Sequence, residues 1–174
     1  MCHQSCLAFG LKCLEGTKGK TILEVGSQNI NGSLRDTLGK DNKYYGVDIQ
    51  DKDGVDEVCN ATEIQERFGD NSFDIVICTE VLEHVEFWKD VINNLKAVAK
   101  DTLLITTRGI DYPRHEYPND YWRYTVDDFA YIFSDMDIEV LEPDPQVSGV
   151  FLYAHKTEKD QTDISNYSIQ KAPC

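Results

Sequence analysis

The residues best suited to chemistry lie in two short stretches, each at the end of an apolar run. The first stretch is Glu24 to Gln28, in which Gly26 permits a tight turn before backbone N–H groups that can hold an anion. The second ends at Asp48, 22 positions after Gly26. A carboxylate at this place accepts hydrogen bonds from ribose hydroxyls in nucleotide-binding sheets. The spacing therefore indicates a ligand that contains ribose.

The glycine pattern argues against a dinucleotide as that ligand. A dinucleotide fold needs a second glycine where the backbone approaches the pyrophosphate. Here that position is Gln28, and the third glycine position is Asn31. Glu24 and Glu80 flank the same predicted strand ends, where carboxylates would repel phosphates and attract a cation. We expect the site to bind an adenosine that carries a positive charge rather than NAD.

Two histidines are candidates for proton transfer, since an ordinary pKa near ~6.5 suits a general base. His84 begins a predicted long helix, where a histidine often only caps or packs, and His115 lies in the loop 108–124, where it could be a solvated residue. The same loop holds aromatic residues that could stack on a sugar or a base, or could instead anchor the loop on the core. They are Tyr112, Tyr117, Tyr121, Trp122 and Tyr124, beside Arg108, Arg114 and Arg123.

Alternating apolar segments predict the elements that position these residues. Strands are predicted at 21–25, 44–48, 55–59, 73–78, 103–107, 138–141 and 150–155. Helices are predicted at 7–15, around Leu34 and Leu38, from Leu82 to Ala99, and after a capping box at 125–128. The last two strands have no helix between them, so they can pair antiparallel. We predict an α/β fold: a doubly wound, mostly parallel seven-stranded sheet with helices on both faces and a C-terminal antiparallel hairpin.

Length and charge limit the organisation of the chain and its partners. The 174 residues suit a single domain at 1–155, followed by a polar and flexible tail at 156–174. Thirty-one acidic against 17 basic residues give a net charge of −14, which makes nucleic acid and membrane poor partners. Six cysteines without a dense framework, and no signal-like start, favour free thiols in the cytoplasm.

Four stretches carry a resemblance to a known family: ILEVGSQNINGS, YYGVDIQDKDGVDEV, FDIVICTEVLEHV and YPNDYWRYT, in this order. Over residues 20–155 the chain resembles the S-adenosylmethionine-dependent methyltransferases of the class I, Rossmann-like type, with a domain of "type 11". The resemblance implies that Asp48 holds the ribose hydroxyls, that Ile49 packs on adenine and that Asn60 and Ala61 read the adenine ring. The implied cofactor residues are Glu24, Gly26, Ser27, Asp48, Ile49, Asn60, Ala61, Thr79 and Glu80.

A metal site is the open alternative at the acceptor end. Glu80, Glu83 and His84 lie one helical turn apart, and His115 could close a divalent-metal site with them. The same E-x-x-E-H pattern is frequent in relatives with no known metal. The N-terminal cysteines are too widely spaced for an iron–sulfur cluster. The sequence therefore predicts no metal ligand.

The predicted function is methyl transfer from S-adenosylmethionine to an unidentified acceptor, with a sugar or another hydroxyl as one possibility and His84 and His115 as the catalytic residues. Two alternatives remain open. The first is a relative that binds the cofactor without catalysis and acts through a partner. The second is a nicotinamide-dependent oxidoreductase, which the missing glycines disfavour.

Overall fold

The structure is a computed structural model that describes residues 3–115 and 118–173. The strands are β1 (Thr21–Val25), β2 (Lys43–Asp48), β3 (Glu57–Val58), β4 (Phe73–Thr79), β5 (Ala99–Arg108), β6 (Trp122–Arg123), β7 (Asp137–Pro143), β8 (Gly149–His155) and β9 (Gln170–Lys171). Seven of these strands form the main sheet, in the order β3-β2-β1-β4-β5-β8-β7. The first five in the order run parallel, whereas β8 pairs antiparallel with both β5 and β7. The predicted fold class is confirmed.

Helices cover both faces of this sheet. They are α1 (Gln4–Cys13), α2 (Arg35–Leu38), α3 (Ile64–Phe68), α4 (Trp88–Val98) and α5 (Val126–Ile132). On one face α1 packs on the sheet, and its Phe9 stacks on Phe151 of β8 with ring centroids 4.7 Å apart. On the other face α4 and α5 share a buried cluster with the alternate residues of the same strands. Because β4 is covered on both faces, its run of apolar residues is nearly continuous.

The predicted helix from Leu82 to Ala99 is shorter in the structure. Residues Leu82–His84 form one 3-10 turn, the chain then extends at Val85, and α4 begins only at Trp88. The carbonyl groups of Glu83 and Val85 accept hydrogen bonds from Tyr121 N and Trp122 Nε1, at 2.8 and 2.9 Å. These bonds to the later loop replace helical ones, so the helix is interrupted although the apolar period continues.

The C-terminal segment differs from the loose tail that its polar composition predicts. Ile164 is buried in the main core, and Tyr167 stacks on Tyr131 of α5 with centroids 4.4 Å apart. Strand β9 pairs antiparallel with β6 in a separate small sheet. The prediction failed because a few well-placed apolar and aromatic side chains fix this segment, and composition averages them away. Within the described residues, no helix is long and apolar enough to cross a membrane.

Candidate functional site

A cavity of about 390 Å³ opens at the carboxyl ends of β1, β2 and β4. This is where a parallel sheet with this strand order holds its ligands. The predicted site residues that line it are Gly26, Asp48, Ile49, Asn60, Ala61, Thr79, Glu80 and His84. Lining residues that the sequence did not single out for the site include Gln28, Val81, Phe87 and Asn119. The structure thus brings most of the predicted residues together, while their individual roles stay predictions.

The turn after β1 depends on Gly26. Its φ is +79°, and a Cβ added there would lie 2.1 Å from Cγ2 of Val81. The N–H groups of Gly26 and Ser27 both donate to the carbonyl of Val47, at 2.9 and 3.1 Å. A left-handed backbone with no space for a side chain explains the glycine at this position.

The Asp48 carboxylate lies on the cavity wall with both of its oxygens held by neighbouring loops. Oδ1 accepts from Gln50 N at 3.1 Å, and Oδ2 lies 3.4 Å from the donor Gln28 N. Each carboxylate oxygen has a further lone pair that can accept a hydrogen bond. Next to it, Ile49 is 54% exposed and offers an apolar surface to the cavity. This pair suits a ribose diol and a flat base.

At the adenine end that the resemblance implies, Asn60 forms a local turn. Its Oδ1 accepts hydrogen bonds from the backbone N and the hydroxyl of Thr62, at 3.0 and 2.9 Å. This leaves the amide NH₂ of Asn60 as the donor it can offer to a ligand. Ala61 is buried, and its carbonyl accepts from Nδ2 of Asn94 at 3.2 Å. Both residues are therefore held in place by contacts within the chain.

Glu24 and Ser27 do not line the cavity, although the resemblance implies both as cofactor residues. Glu24 is 5% exposed and Ser27 is 2% exposed. Burial raises the pKa of Glu24 to about 7, and Oε2 of this carboxyl has no hydrogen-bond partner. Alternation along β1 turns Glu24 away from the face that carries Val25, so it lies behind the cavity wall.

Glu80 lines the cavity, yet its side chain turns into the protein. Its φ is +57°, which is uncommon for a residue other than glycine. The carboxylate forms an ion pair with Arg108 and accepts from the hydroxyl of Thr106 at 2.8 Å and from Sγ of Cys6 at 3.4 Å. Arg108 in turn lies over the ring of Tyr112, 4.3 Å from its centroid. This carboxylate is therefore held by protein groups.

His84 and His115 meet at the end of the cavity next to Glu80. Their ring centroids are 4.8 Å apart and the rings are edge to face. His84 Nδ1 donates to the carbonyl of Asn119 at 2.5 Å, because a carbonyl can only accept. His115 Nδ1 lies 3.1 Å from Oδ2 of Asp120. Burial is the main cause of a lowered pKa at His115, and His84 beside it lowers it further.

The loop that carries His115 is fastened by buried polar groups. Arg123 donates to both carboxylate oxygens of Asp120, at 2.5 and 2.7 Å, and both side chains are fully buried. Trp122 donates to the carbonyl of Val85, which agrees with the interpretation that Trp122 anchors the loop. Tyr121 lines the cavity. Tyr117, a possible substrate contact in the sequence, lies outside the described residues.

Comparisons with known proteins identify the chain. A model of a family described as "Methyltransferase domain" matches residues 4–141. The chain belongs to this family. It is a methyltransferase of class I, and the predicted enzyme class is confirmed. No match was found among curated protein sequences.

Solved methyltransferase structures share this enzyme's fold at low sequence identity. The 1,6-didemethyltoxoflavin-N1-methyltransferase of Burkholderia thailandensis is 16% identical, with a TM-score of 0.70, over 89% of this chain and 78% of that one. A SAM-dependent methyltransferase from Aquifex aeolicus is 19% identical, with a TM-score of 0.62, over 87% of this chain and 89% of that one. Magnesium protoporphyrin IX methyltransferase from Synechocystis is 17% identical, with a TM-score of 0.63, over 88% of this chain and 81% of that one. These likenesses support the fold.

Sequence reasoning missed one residue near the acceptor end of this methyltransferase. Nε2 of His3, at the start of α1, lies 3.5 Å from the hydroxyl of Tyr112, whose ring also contacts His115 at 5.0 Å. The sequence places His3 among widely spaced cysteines, which gives it no link to the loop. A separation of 109 residues between His3 and Tyr112 leaves no local pattern from which this contact could have been found.

Proposed function

We propose that this methyltransferase transfers the methyl group of S-adenosylmethionine to a hydroxyl group of its acceptor. The observation that carries the proposal is the cavity itself, which joins a ribose- and base-binding half at Asp48 and Ile49 to a half that ends at His84. Bound S-adenosylmethionine supplies a methyl group that its sulfonium already activates. The protein then needs to bind the donor, orient the acceptor and exclude water.

The cavity walls suit this donor better than a phosphate-containing cofactor. Among the described residues that line the cavity there is no lysine and no arginine, whereas Asp48 and Glu86 are acidic. Such a wall favours a cationic sulfonium and an amino group over a pyrophosphate. Asp48 would accept from the ribose hydroxyls, Ile49 would pack on the base, and the turn at Gly26 would keep the backbone close to the ligand.

The acceptor half favours a hydroxyl compound such as a sugar. A hydroxyl must lose its proton when its oxygen takes the methyl group, so it needs a proton-accepting environment. His84 lies on the cavity wall for this purpose, and His115 lies directly behind it. Tyr121 and Phe87 add aromatic surface on the same side, and Phe87 is 61% exposed. Aromatic walls with a few polar groups are typical of sites for small polar ligands.

We place the enzyme in the cytoplasm, with a small acceptor rather than nucleic acid. Cys13, Cys59 and Cys78 are free thiols, which suits a reducing compartment. The net charge of −14 opposes binding to a phosphate backbone.

Calorimetry with S-adenosylmethionine and S-adenosylhomocysteine tests the donor. Hydrogen bonds to a charged group contribute roughly 1.5–3 kcal/mol, so Asp48→Ala should weaken binding by about 10- to 100-fold. Asp51→Ala is the matched control, because this exposed carboxylate lies in the same loop and does not line the cavity. Equal affinities in the wild type and Asp48→Ala would contradict the assigned ribose site.

Turnover with a panel of acceptors tests the second half of the proposal. Sugars and other hydroxyl compounds are compared with amines and thiols of similar size, at saturating S-adenosylmethionine. Methylation of a hydroxyl compound supports the proposal. Methylation confined to amines or thiols would overturn the acceptor class, and tight donor binding without any turnover would favour the relative without catalysis.

A further inference from the structure

We propose that Glu83, His84 and His115 bind one divalent transition-metal cation at the acceptor end of the cavity. One oxygen of Glu83 and one ring nitrogen of each histidine lie within 4.8 Å of one another. The 3-10 turn supplies the first two residues and the loop after β5 supplies the third, so distant parts of the chain converge here. No metal ligand was predicted from the sequence, and this convergence is what changes the conclusion.

The ligand types select the class of cation. Two imidazoles and one carboxylate suit zinc, cobalt or iron(II), whereas magnesium and calcium prefer oxygen ligands throughout. Glu80 is excluded from the ligand set because Arg108, Thr106 and Cys6 hold its carboxylate. Three protein ligands leave coordination positions for water or a substrate oxygen, as in catalytic metal sites.

A neighbouring carbonyl already holds the imidazole of His84 in the orientation that metal ligation needs. A histidine ligand commonly donates its other ring N–H to a carbonyl or a carboxylate, which fixes the tautomer and the ring plane. His84 Nδ1 donates to the carbonyl of Asn119, and His115 Nδ1 lies 3.1 Å from the carboxylate of Asp120. The Nε2 atom of His84 therefore keeps its lone pair. Arg123 fixes Asp120 from the other side.

The charges and hydrogen bonds around Glu83 leave a place for a cation. Its side chain is fully buried, and Oε2 accepts from the hydroxyl of Thr107 at 2.8 Å. Oε1 has no hydrogen-bond partner and lies 3.7 Å from Nε2 of His84 and 3.9 Å from Nε of Arg108. A buried carboxylate oxygen that lacks a hydrogen bond is costly unless a cation or a donor reaches it.

A cation at this site would face the acceptor, because His84 lines the cavity. An oxygen bound to a divalent cation loses its proton at a lower pH than it does in water. A hydroxyl acceptor bound to the cation would release its proton to water, and its oxygen would then take the methyl group from the sulfonium, which leaves as S-adenosylhomocysteine. This consequence rests on the proposed function, whereas binding of the cation itself does not.

Titration of the full-length chain with cobalt(II) and zinc(II) tests the site. The protein is first treated with a chelator, and binding is followed by calorimetry and, for cobalt, by visible absorption. We expect one equivalent of cation to bind, with an absorption spectrum of nitrogen and oxygen ligands. Loss of a supporting partner of a metal ligand typically weakens affinity 10–100-fold, so His115→Gln and Glu83→Gln should weaken it by at least about 100-fold.

His155→Gln is the matched control, because this histidine lies between Glu139 and Asp101 on the surface and outside the cavity. It should leave the stoichiometry and affinity of the cation unchanged. His115→Gln should keep the S-adenosylhomocysteine affinity of the wild type, since His115 does not line the donor half. Loss of cation binding in His115→Gln with normal S-adenosylhomocysteine affinity would show that the metal site is lost in a folded protein. This result does not depend on the Glu83→Gln variant, which is more deeply buried and could misfold.

The other outcomes overturn the proposal. No binding of either cation to a chain that still binds S-adenosylhomocysteine would refute the metal site and leave the proposed methyl transfer standing. Equal binding by the wild type and His115→Gln would do the same. A cobalt spectrum dominated by thiolate charge transfer would place the cation at cysteines instead.

Discussion

Replacement of Glu24 by glutamine tests whether a buried, unneeded charge reduces the stability of this enzyme at neutral pH. Burial is the largest cause that raises the pKa of Glu24 from 4.5 to about 7, while Tyr44 and Arg35 oppose the shift. Between these two pH values the folded chain keeps a proton that the unfolded chain has released. The stability that Glu24 contributes is therefore full below about pH 4.5 and is lost as the pH rises to about 7.

The difference in pKa fixes the size of the effect. The rise in the pKa of Glu24 from 4.5 to about 7, at 1.36 kcal/mol per pH unit, corresponds to about 3 kcal/mol. The side chain in the Glu24→Gln variant cannot ionise, so the variant does not lose this stability as the pH rises. The free energy of unfolding of the variant, minus that of the wild type, should therefore rise by about 3 kcal/mol between pH 4.5 and pH 7.5.

Urea denaturation at several pH values measures this change, and using the difference between variant and wild type cancels effects that do not depend on pH. The slope against urea must be the same for both proteins, so that their unfolded states are comparable. Glu66→Gln, at an exposed position of α3, is the control and should follow the wild type at every pH. If the Glu24→Gln and wild-type curves run parallel from pH 4.5 to pH 7.5, the buried charge has no such cost.

Two further substitutions test the turn after β1 and the C-terminal segment. Gly26→Ala requires a left-handed backbone, which costs roughly 1–2 kcal/mol, and it brings a methyl group to within 2.1 Å of Val81. We expect a lower melting temperature and S-adenosylhomocysteine binding weakened at least tenfold, and unchanged calorimetry would contradict this. Tyr167→Ala removes the stack on Tyr131, worth about 1 kcal/mol, and should lower thermal stability without changing donor affinity. Unchanged stability would mean that the segment contributes nothing to the fold.

The position of Gly26 and Asp48 on the cavity wall could be predicted, because both residues lie at strand ends. Gly26 and Asp48 each follow an apolar run, and parallel neighbouring strands bring their carboxyl ends to the same edge. The capping box at Thr125 and Asp128 is equally local, and the structure has both of its hydrogen bonds. In each case the determining contacts lie within a few residues or follow directly from the pairing of strands.

His84 and His115 were named as candidates from the sequence, but the geometry at their end of the cavity could not be predicted, because its contacts join distant segments. The apolar period from Leu82 onwards is that of a helix, and nothing local shows that Tyr121 and Trp122 take the hydrogen bonds that would have continued it. The inward side chain of Glu80 is held by Arg108, 28 residues later, and by Thr106 and Cys6. Tertiary partners of this kind override local propensity.

The pairing of Glu80 with Arg108 also limits how strongly the site attracts a cationic donor. Glu80 holds an unfavourable φ of +57°, so its inward ion pair offsets a conformational cost of order 1 kcal/mol. If Glu80 were unpaired, its carboxylate would bind the sulfonium of the donor more tightly before the reaction. The positive charge of the sulfonium, however, disperses as the methyl group leaves. Interactions of equal strength before and during reaction do not accelerate it. By pairing with Arg108, the Glu80 carboxylate therefore adds little negative charge to the cavity wall beside the donor.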